Sequence, residues 1–303
     1  MKIKNKLLTL PALLLCISLD AEPFDSTYLA EPSATSLLKN ANIYDGEGNE
    51  FFGYDLLIVN GKIETIGVNL LSKTENTIEY DLSGMWVTPG IIDLHSHMGV
   101  YSAPGVKTSS DGNESTSPVT ADVWAEHSVW TQDPQFSLAL QGGVTTFHVL
   151  PGSANLIGGR GTTFKNVQSN TIQGMKFPDA PHSLKMACGE NPKRVYGSRR
   201  QAPSTRMGNI AGYRKAWIKA SKYRENMNTY ESKSAEAKEI VSPPTRDLEM
   251  DTLAGVLNGE ILVQNHCYRA EEMAMMIDIA EEFGYKITAF HHAVEAYKIA
   301  DLL

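Results

Sequence analysis

Two histidines one residue apart, His95 and His97, end the run Thr88-Pro89-Gly90-Ile91-Ile92-Asp93-Leu94-His95-Ser96-His97. On an extended backbone, residues i and i+2 point to the same side, so both imidazoles leave one strand end together. Neutral imidazole is a common ligand for Zn²⁺ and related ions, and two from one strand form a pre-organised chelate. The chemistry this permits is activation of water by a bound divalent cation. The Pro89-Gly90 break followed by Ile91-Ile92-Asp93-Leu94 predicts a fully buried strand as the carrier.

That strand needs a scaffold, and the flanking sequence predicts one. Over residues 37–87 short apolar runs alternate with turn residues, including the hairpin signal Asn60-Gly61. Beyond the His-x-His, strands are expected at residues 144–150, 183–188, 261–265 and 286–290. Helical patterns lie between them. Residues 133–141 start with Asp133 and Pro134 and stop at Gly142-Gly143. Residues 207–240 form a long polar stretch. Residues 269–283 are amphipathic and end at Gly284. Strands alternating with helices predict parallel β/α units. The glycine-rich stretch from Pro151 to Gly161 lacks a Gly-Lys-Ser/Thr ending and is no phosphate loop; it reads as a loop at the mouth.

Composition narrows the class. The chain has 303 residues, 42% hydrophobic and 20% charged, which describes a globular protein with a large core. Its formal charge is −8 and it has no long basic cluster, so nucleic acid is not an expected partner. Lys2, Lys4 and Lys6 precede an apolar run over residues 7–19, too short for a membrane span. Residues 1–21 read as a signal peptide and imply a periplasmic or secreted protein with no membrane contact after cleavage. Cys16, Cys188 and Cys267 are too few for a disulfide scaffold, and nothing in the sequence says whether the last two pair.

From about Leu37 onward the chain resembles the amidohydrolase superfamily of metal-dependent hydrolases. The motifs are closest to its imidazolonepropionase-like and prolidase-like members. The resemblance implies an α/β fold: a (β/α)₈ TIM-type barrel, here with about six β/α units, beside a small β-sandwich part. The implied divisions are residues 1–21 as signal peptide, 22–87 as the small sandwich part and 88–303 as barrel. It also implies one or two divalent ions, zinc being favoured, held by His95 and His97. His266, between a strand and a helix, resembles the ligand after the fifth strand. His292 resembles the ligand after the sixth, because His291-His292-Ala293-Val294-Glu295-Ala296-Tyr297 is similar to the family's His-Gly-Thr-Glu-Ala-Tyr pattern. Adjacent strand residues point opposite ways, which favours His292 over His291, although a twisted or bulged strand end would leave His291 open.

The bridging ligand has two candidates. Alternation along residues 183–190 puts Lys185 with small Ala187 and Gly189, and Glu190 on the bulkier face. A lysine facing a barrel axis is costly unless neutralised or metal-bound. The resemblance implies that Lys185 is carboxylated, with Glu190 at the strand lip as the alternative. Lys185 and His292 stand as the catalytic residues. Asn155 and Arg160 of the glycine-rich stretch, with Arg194, Tyr196 and Arg206 beyond the fourth strand, are candidates for substrate contact. Each has a structural alternative: a tight turn, a surface charge or a core tyrosine. His148, inside an apolar strand, reads as a core histidine, and His127 and His182 lack a supporting context.

The implied activity is hydrolysis of a C–N bond in a small amide, cyclic amide or dipeptide, with water activated by the metal. Alternatives are deamination of a heterocycle and a non-catalytic metal-binding chain. Homo-oligomerisation is left open. One departure stands out: the pattern reaches a sixth strand, and Leu303 falls in the element after it. The family's eighth-strand aspartate, which moves the proton to the leaving nitrogen, has no counterpart. The expectation is therefore a fragment of a longer frame, with exposed sheet edges and little turnover of its own.

Overall fold

The structure, a computed structural model, describes residues 23–72 and 75–303. The signal-peptide reading of residues 1–21 lies outside the described residues. The N-terminal part forms one five-stranded sheet from β1 (Ser36–Tyr44), β2 (Glu50–Val59), β3 (Lys62–Gly67), β4 (Ile78–Asp81) and β5 (Trp86–Val87). β2 and β3 meet at Asn60-Gly61, where φ is 52° and 73°; two successive left-handed residues are what a tight hairpin requires. Asp55 is buried in this sheet, and its carboxylate accepts from the backbone N–H groups of Asn40 and Leu70.

A second sheet of six strands carries the histidines. Its order follows the chain: β6 (Ile91–Ser96), β7 (Val144–Val149), β8 (Ile157–Lys165), β9 (Ser183–Ala187), β10 (Leu262–Cys267) and β11 (Ile287–His292). β6 with β7, β9 with β10, and β10 with β11 are parallel. β8 is the exception, antiparallel to both β7 and β9. The uniform parallel pattern expected from sequence is therefore corrected at this strand, and residues 157–161 belong to a strand rather than a loop. Three glycines mask it. Gly161 has no room for a side chain: a Cβ would come within 2.9 Å of Leu150, Ser183 and His148. Glycine in a strand here marks close approach of neighbours, not a turn.

The sheet is strongly curled. The rings of His95 on β6 and His291 on β11 lie 4.4 Å apart, although these are its first and last strands. Five inter-strand steps on a flat sheet would separate them by about 24 Å.

Helices α1 (Gln135–Gln141), α2 (Ile172–Met175), α3 (Glu190–Gly197), α4 (Arg206–Glu231), α5 (Ala235–Ile240), α6 (Leu248–Asn258) and α7 (Ala270–Phe283) complete the fold. The expected polar stretch is two helices, α5 restarting where the Ser234 hydroxyl accepts from Ala237 N. On α4 the buried residues Asn209, Tyr213, Ala216, Trp217 and Ala220 follow a helical stripe. Leu184, Met186 and Val263 join Trp217, Leu253 and Met273 in the main core. Leu184 and Met186 thus occupy the helix-facing side of β9, which leaves Lys185 for the other. Asp133 fixes the start of α1: its carboxylate accepts from Gln135 N and also from Gly99 N, tying the helix to the loop after His97. Cys188 and Cys267 form a disulfide between the ends of β9 and β10.

Candidate metal centre

The C-terminal ends of β6, β10 and β11 bring five imidazoles together. His95 Nε2 lies 3.2 Å from His97 Nε2. The His95 ring also touches those of His291 and His292, with centroids 4.4 and 5.1 Å away. His266 packs 4.6 Å from His292. Leu150 O, at 2.8 Å from His97 Nδ1, orients that ring from β7's end. Beneath them Lys185 is fully buried, and its Nζ has no hydrogen-bond partner among the described residues.

Alternation alone does not describe β11. His291 is in register with His266 across the sheet, and its Nε2 meets Gln264 Oε1 at 2.6 Å. His292 follows with φ of 65° and Ala293 with 40°, so the backbone leaves the extended conformation there. Both rings therefore stand in the histidine cluster, His291 as well as His292.

The environment keeps these groups uncharged. Burial, reinforced by Lys185, lowers His95 to about 2. Burial and the neighbouring His292 lower His266 to about 3; burial and Lys185 lower His291 to about 4. Burial also lowers His97 and His292. Desolvation brings the Lys185 amine from 10.5 down to about 7.

No family model matches the chain. Its structure is similar to that of an amidohydrolase from Thermotoga maritima MSB8, with a TM-score of 0.80 and 39% identity, covering 88% of this chain and 67% of that one. The chain belongs to the amidohydrolase superfamily. The amidohydrolase tasK of Hapsidospora irregularis is 32% identical over 303 residues, which is 91% of this chain. This chain spans 31% of that protein's length. A dihydroorotase of Ligilactobacillus salivarius is 39% identical over 71 residues, 23% of this chain.

Members of this superfamily generally use divalent cations. Two nitrogens bound to a tetrahedral zinc at about 2.0–2.1 Å stand roughly 3.3 Å apart. The His95–His97 separation of 3.2 Å fits that chelate. The neutral state of all five imidazoles is the ligand form. His266 Nδ1 and Lys185 Nζ are buried polar atoms with no hydrogen-bond partner among the described residues. Among the described residues no three His, Cys, Asp or Glu groups already surround one point. The pair at the end of β6 is spaced for a chelate, His291 and His292 adjoin His95, and His266 adjoins His292.

Other expected site residues stand elsewhere in the amidohydrolase fold. Glu190 opens α3 and is exposed; its neighbour Asn191 is the residue that reaches His266, with Nδ2 3.1 Å from Nε2. Asn155 is buried and ties the loop over residues 114–120, donating to Glu114 O and Ser117 O. Arg160 is buried, its Nε donating to Thr252 and its guanidinium over the Trp124 ring. Tyr196 is fully buried with its hydroxyl donating to Ser117 O. Asn155, Arg160 and Tyr196 are thus engaged in buried contacts within the fold, the structural alternative open to each. Arg194 lies at the surface against Asn191 at 3.4 Å, and Arg206 pairs with Glu271. His148 is the core histidine expected, held by Thr163 and Ser183.

Tyr101, Tyr268 and Asn191 were not anticipated. Tyr101 packs on His97, and Tyr268 on His266 and His292. Tyr268 stands two residues after a strand-end histidine, a spacing that could have flagged it.

Proposed function

We propose that this protein is a metal-dependent hydrolase of a C–N bond in a small amide, cyclic amide or dipeptide, built on part of a (β/α)₈ barrel. The observation that carries the reading is the convergence of strand-end imidazoles above a buried lysine whose Nζ has no hydrogen-bond partner among the described residues. His95 and His97 would grip a divalent cation, with zinc favoured by an all-nitrogen donor set, and His266 and His292 would complete its shell. When bound, the cation supplies activation of water and polarisation of the substrate carbonyl.

Lys185 suits the bridging role. With its pKa near 7, much of the amine is neutral at physiological pH and nucleophilic. Attack on carbon dioxide forms an N–C bond, releases one proton and leaves an anionic carbamate, which would compensate the cation in the buried site. Tyr101 and Tyr268 border the histidines and would line the substrate's approach. The basic and apolar pattern at the N-terminus supports export to the periplasm or medium.

The test is zinc uptake by equilibrium dialysis, with turnover assayed on dipeptides and cyclic amides. Zinc should bind, His95→Ala with His97→Ala should abolish binding, and a chelator should abolish turnover. Full turnover in the double variant, or no zinc uptake by the wild type, would overturn the proposal.

A further inference from the structure

Tyr101 stands in the loop that leaves His97, at the C-terminal rim of the six-stranded sheet. Its backbone N–H donates to His97 O over 3.0 Å, and its ring packs nearly edge-on against the His97 imidazole with centroids 5.7 Å apart. Gln135 Nε2, from α1, donates to Tyr101 O over 2.8 Å. Two glycines let the neighbouring loops close on the phenol. A Cβ on Gly112 would collide with the Tyr101 ring, and one on Gly152 with the Asn113 amide beside it.

That amide decides what the phenol can do. Asn113 Nδ2 lies 2.6 Å from Tyr101 Oη and 2.7 Å from Gly112 O, while Asn113 Oδ1 takes the N–H of Ala154 over 2.9 Å. A backbone N–H can only donate, so the oxygen end of the amide faces Ala154 and the nitrogen end faces the phenol. Tyr101 Oη is therefore the acceptor in this contact, and its own proton has no acceptor among the described residues. Burial raises the phenol above its ordinary pKa, against a smaller downward pull from Asn113, so the proton stays in place. The result is a hydrogen-bond donor with a fixed oxygen and an uncommitted proton, held beside the histidine cluster. The loop also limits its partner. Asp111 and Glu114 flank Gly112-Asn113 in the chain and are exposed, so a substrate carboxylate brought there would meet like charge, whereas an uncharged carbonyl would not.

We infer that Tyr101 is a specificity-determining residue: its phenol donates to an uncharged carbonyl oxygen of the substrate other than the one at the bond that breaks, and Asn113 fixes the direction of that donor. The inference rests on the hydrolase reading above and narrows its substrates to amides that carry a second carbonyl group beside the scissile one. A site built to hydrogen-bond a substrate group discriminates against the analogue that lacks it.

Two measurements on the zinc-loaded whole chain test it. The first compares kcat/KM for a cyclic imide, glutarimide, with that for the lactam of the same ring, which lacks the second carbonyl. The imide-to-lactam ratio of each variant is set against that of wild type, so the greater intrinsic reactivity of the imide cancels. Tyr101→Phe should lower the ratio about 3- to 10-fold, the worth of one neutral hydrogen bond. Asn113→Asp keeps the phenol and the bond from Ala154 N but puts a carboxylate oxygen where Nδ2 was. That oxygen captures the phenol proton, and the ratio should fall by a similar factor. The second measurement is the tyrosine ring Raman doublet, isolated by subtracting the Tyr101→Phe spectrum, which separates a phenol oxygen that accepts from one that donates. It should read as an acceptor in wild type, shift towards a donor when glutarimide is added, and read as a donor in Asn113→Asp. An unchanged ratio in Tyr101→Phe, or a doublet that glutarimide leaves where it was, would overturn the assignment. A wild type that hydrolyses neither ring would sink the hydrolase reading, while the response of the doublet to glutarimide would still decide the role of Tyr101.

Discussion

Lys176 and Lys185 are both buried, at 7% and 0% exposure, yet their surroundings differ in kind. Lys176 Nζ lies 2.7 Å from Glu126 Oε2 and donates to Phe24 O. Thr162 adds a hydroxyl donor to the same carboxylate. Lys185 Nζ lies close enough to the histidine cluster to act on His95 and has no hydrogen-bond partner among the described residues. A buried charge with its counter-charge is architecture; a buried amine without one is held at a free-energy cost that folding does not recover. The contrast teaches that burial by itself does not mark a site. Uncompensated burial, beside other groups whose lone pairs are left over, does.

The largest expected effect breaks the compensated side. Glu126→Ala leaves the Lys176 amine buried without its carboxylate, and should destabilise the chain by about 3–5 kcal/mol in chemical denaturation. Zinc affinity should barely move. A loss under about 1 kcal/mol would show that the two lysines do not differ as argued.

The uncompensated side should respond in the opposite direction. Lys185→Met keeps the volume and removes the amine, so the metal-free protein at pH 7 should gain on the order of 2–4 kcal/mol. The pH dependence has a defined sign. Burial lowers the folded-state pKa from 10.5 to about 7, so between these values the unfolded chain binds more protons. Stability of the metal-free wild type should therefore rise as pH increases from 7 towards 10.5, and the methionine variant should lack that rise. The same variant should bind less zinc than wild type. A parallel pH profile in the two proteins would mean that Lys185 is not desolvated.

The smallest effect sharpens the contrast by subtraction. Glu190 is exposed at the start of α3, so Glu190→Gln should change zinc affinity less than about twofold, as surface charges usually do. A large loss there would transfer the bridging role from Lys185 to Glu190.

Much of the centre was legible in the chain. His95 and His97 needed only the period of a strand, and His266 needed a strand, a histidine and a helix in succession. Lys185 followed from alternation, because Leu184 and Met186 claim the helix-facing side. The β8 strand was not legible. Glycines that allow neighbouring strands to approach are indistinguishable in sequence from glycines that turn. Arg160 and Tyr196 look like ligand-binding groups in sequence because guanidinium and phenol serve recognition and packing equally well.

Sequence by itself determined what depends on near neighbours along the chain. The tight hairpin at Asn60-Gly61, the stop of α7 at Gly284 and the shared side of His95 and His97 all follow from backbone sterics over a few residues. Tertiary structure decided what depends on curvature and on corners. The 4.4 Å contact of His95 with His291 exists only because twist accumulates over six strands. Glu190 faces solvent while Asn191 faces His266 because the Gly189 turn starts a helix there, and a helix no longer alternates as the strand before it does.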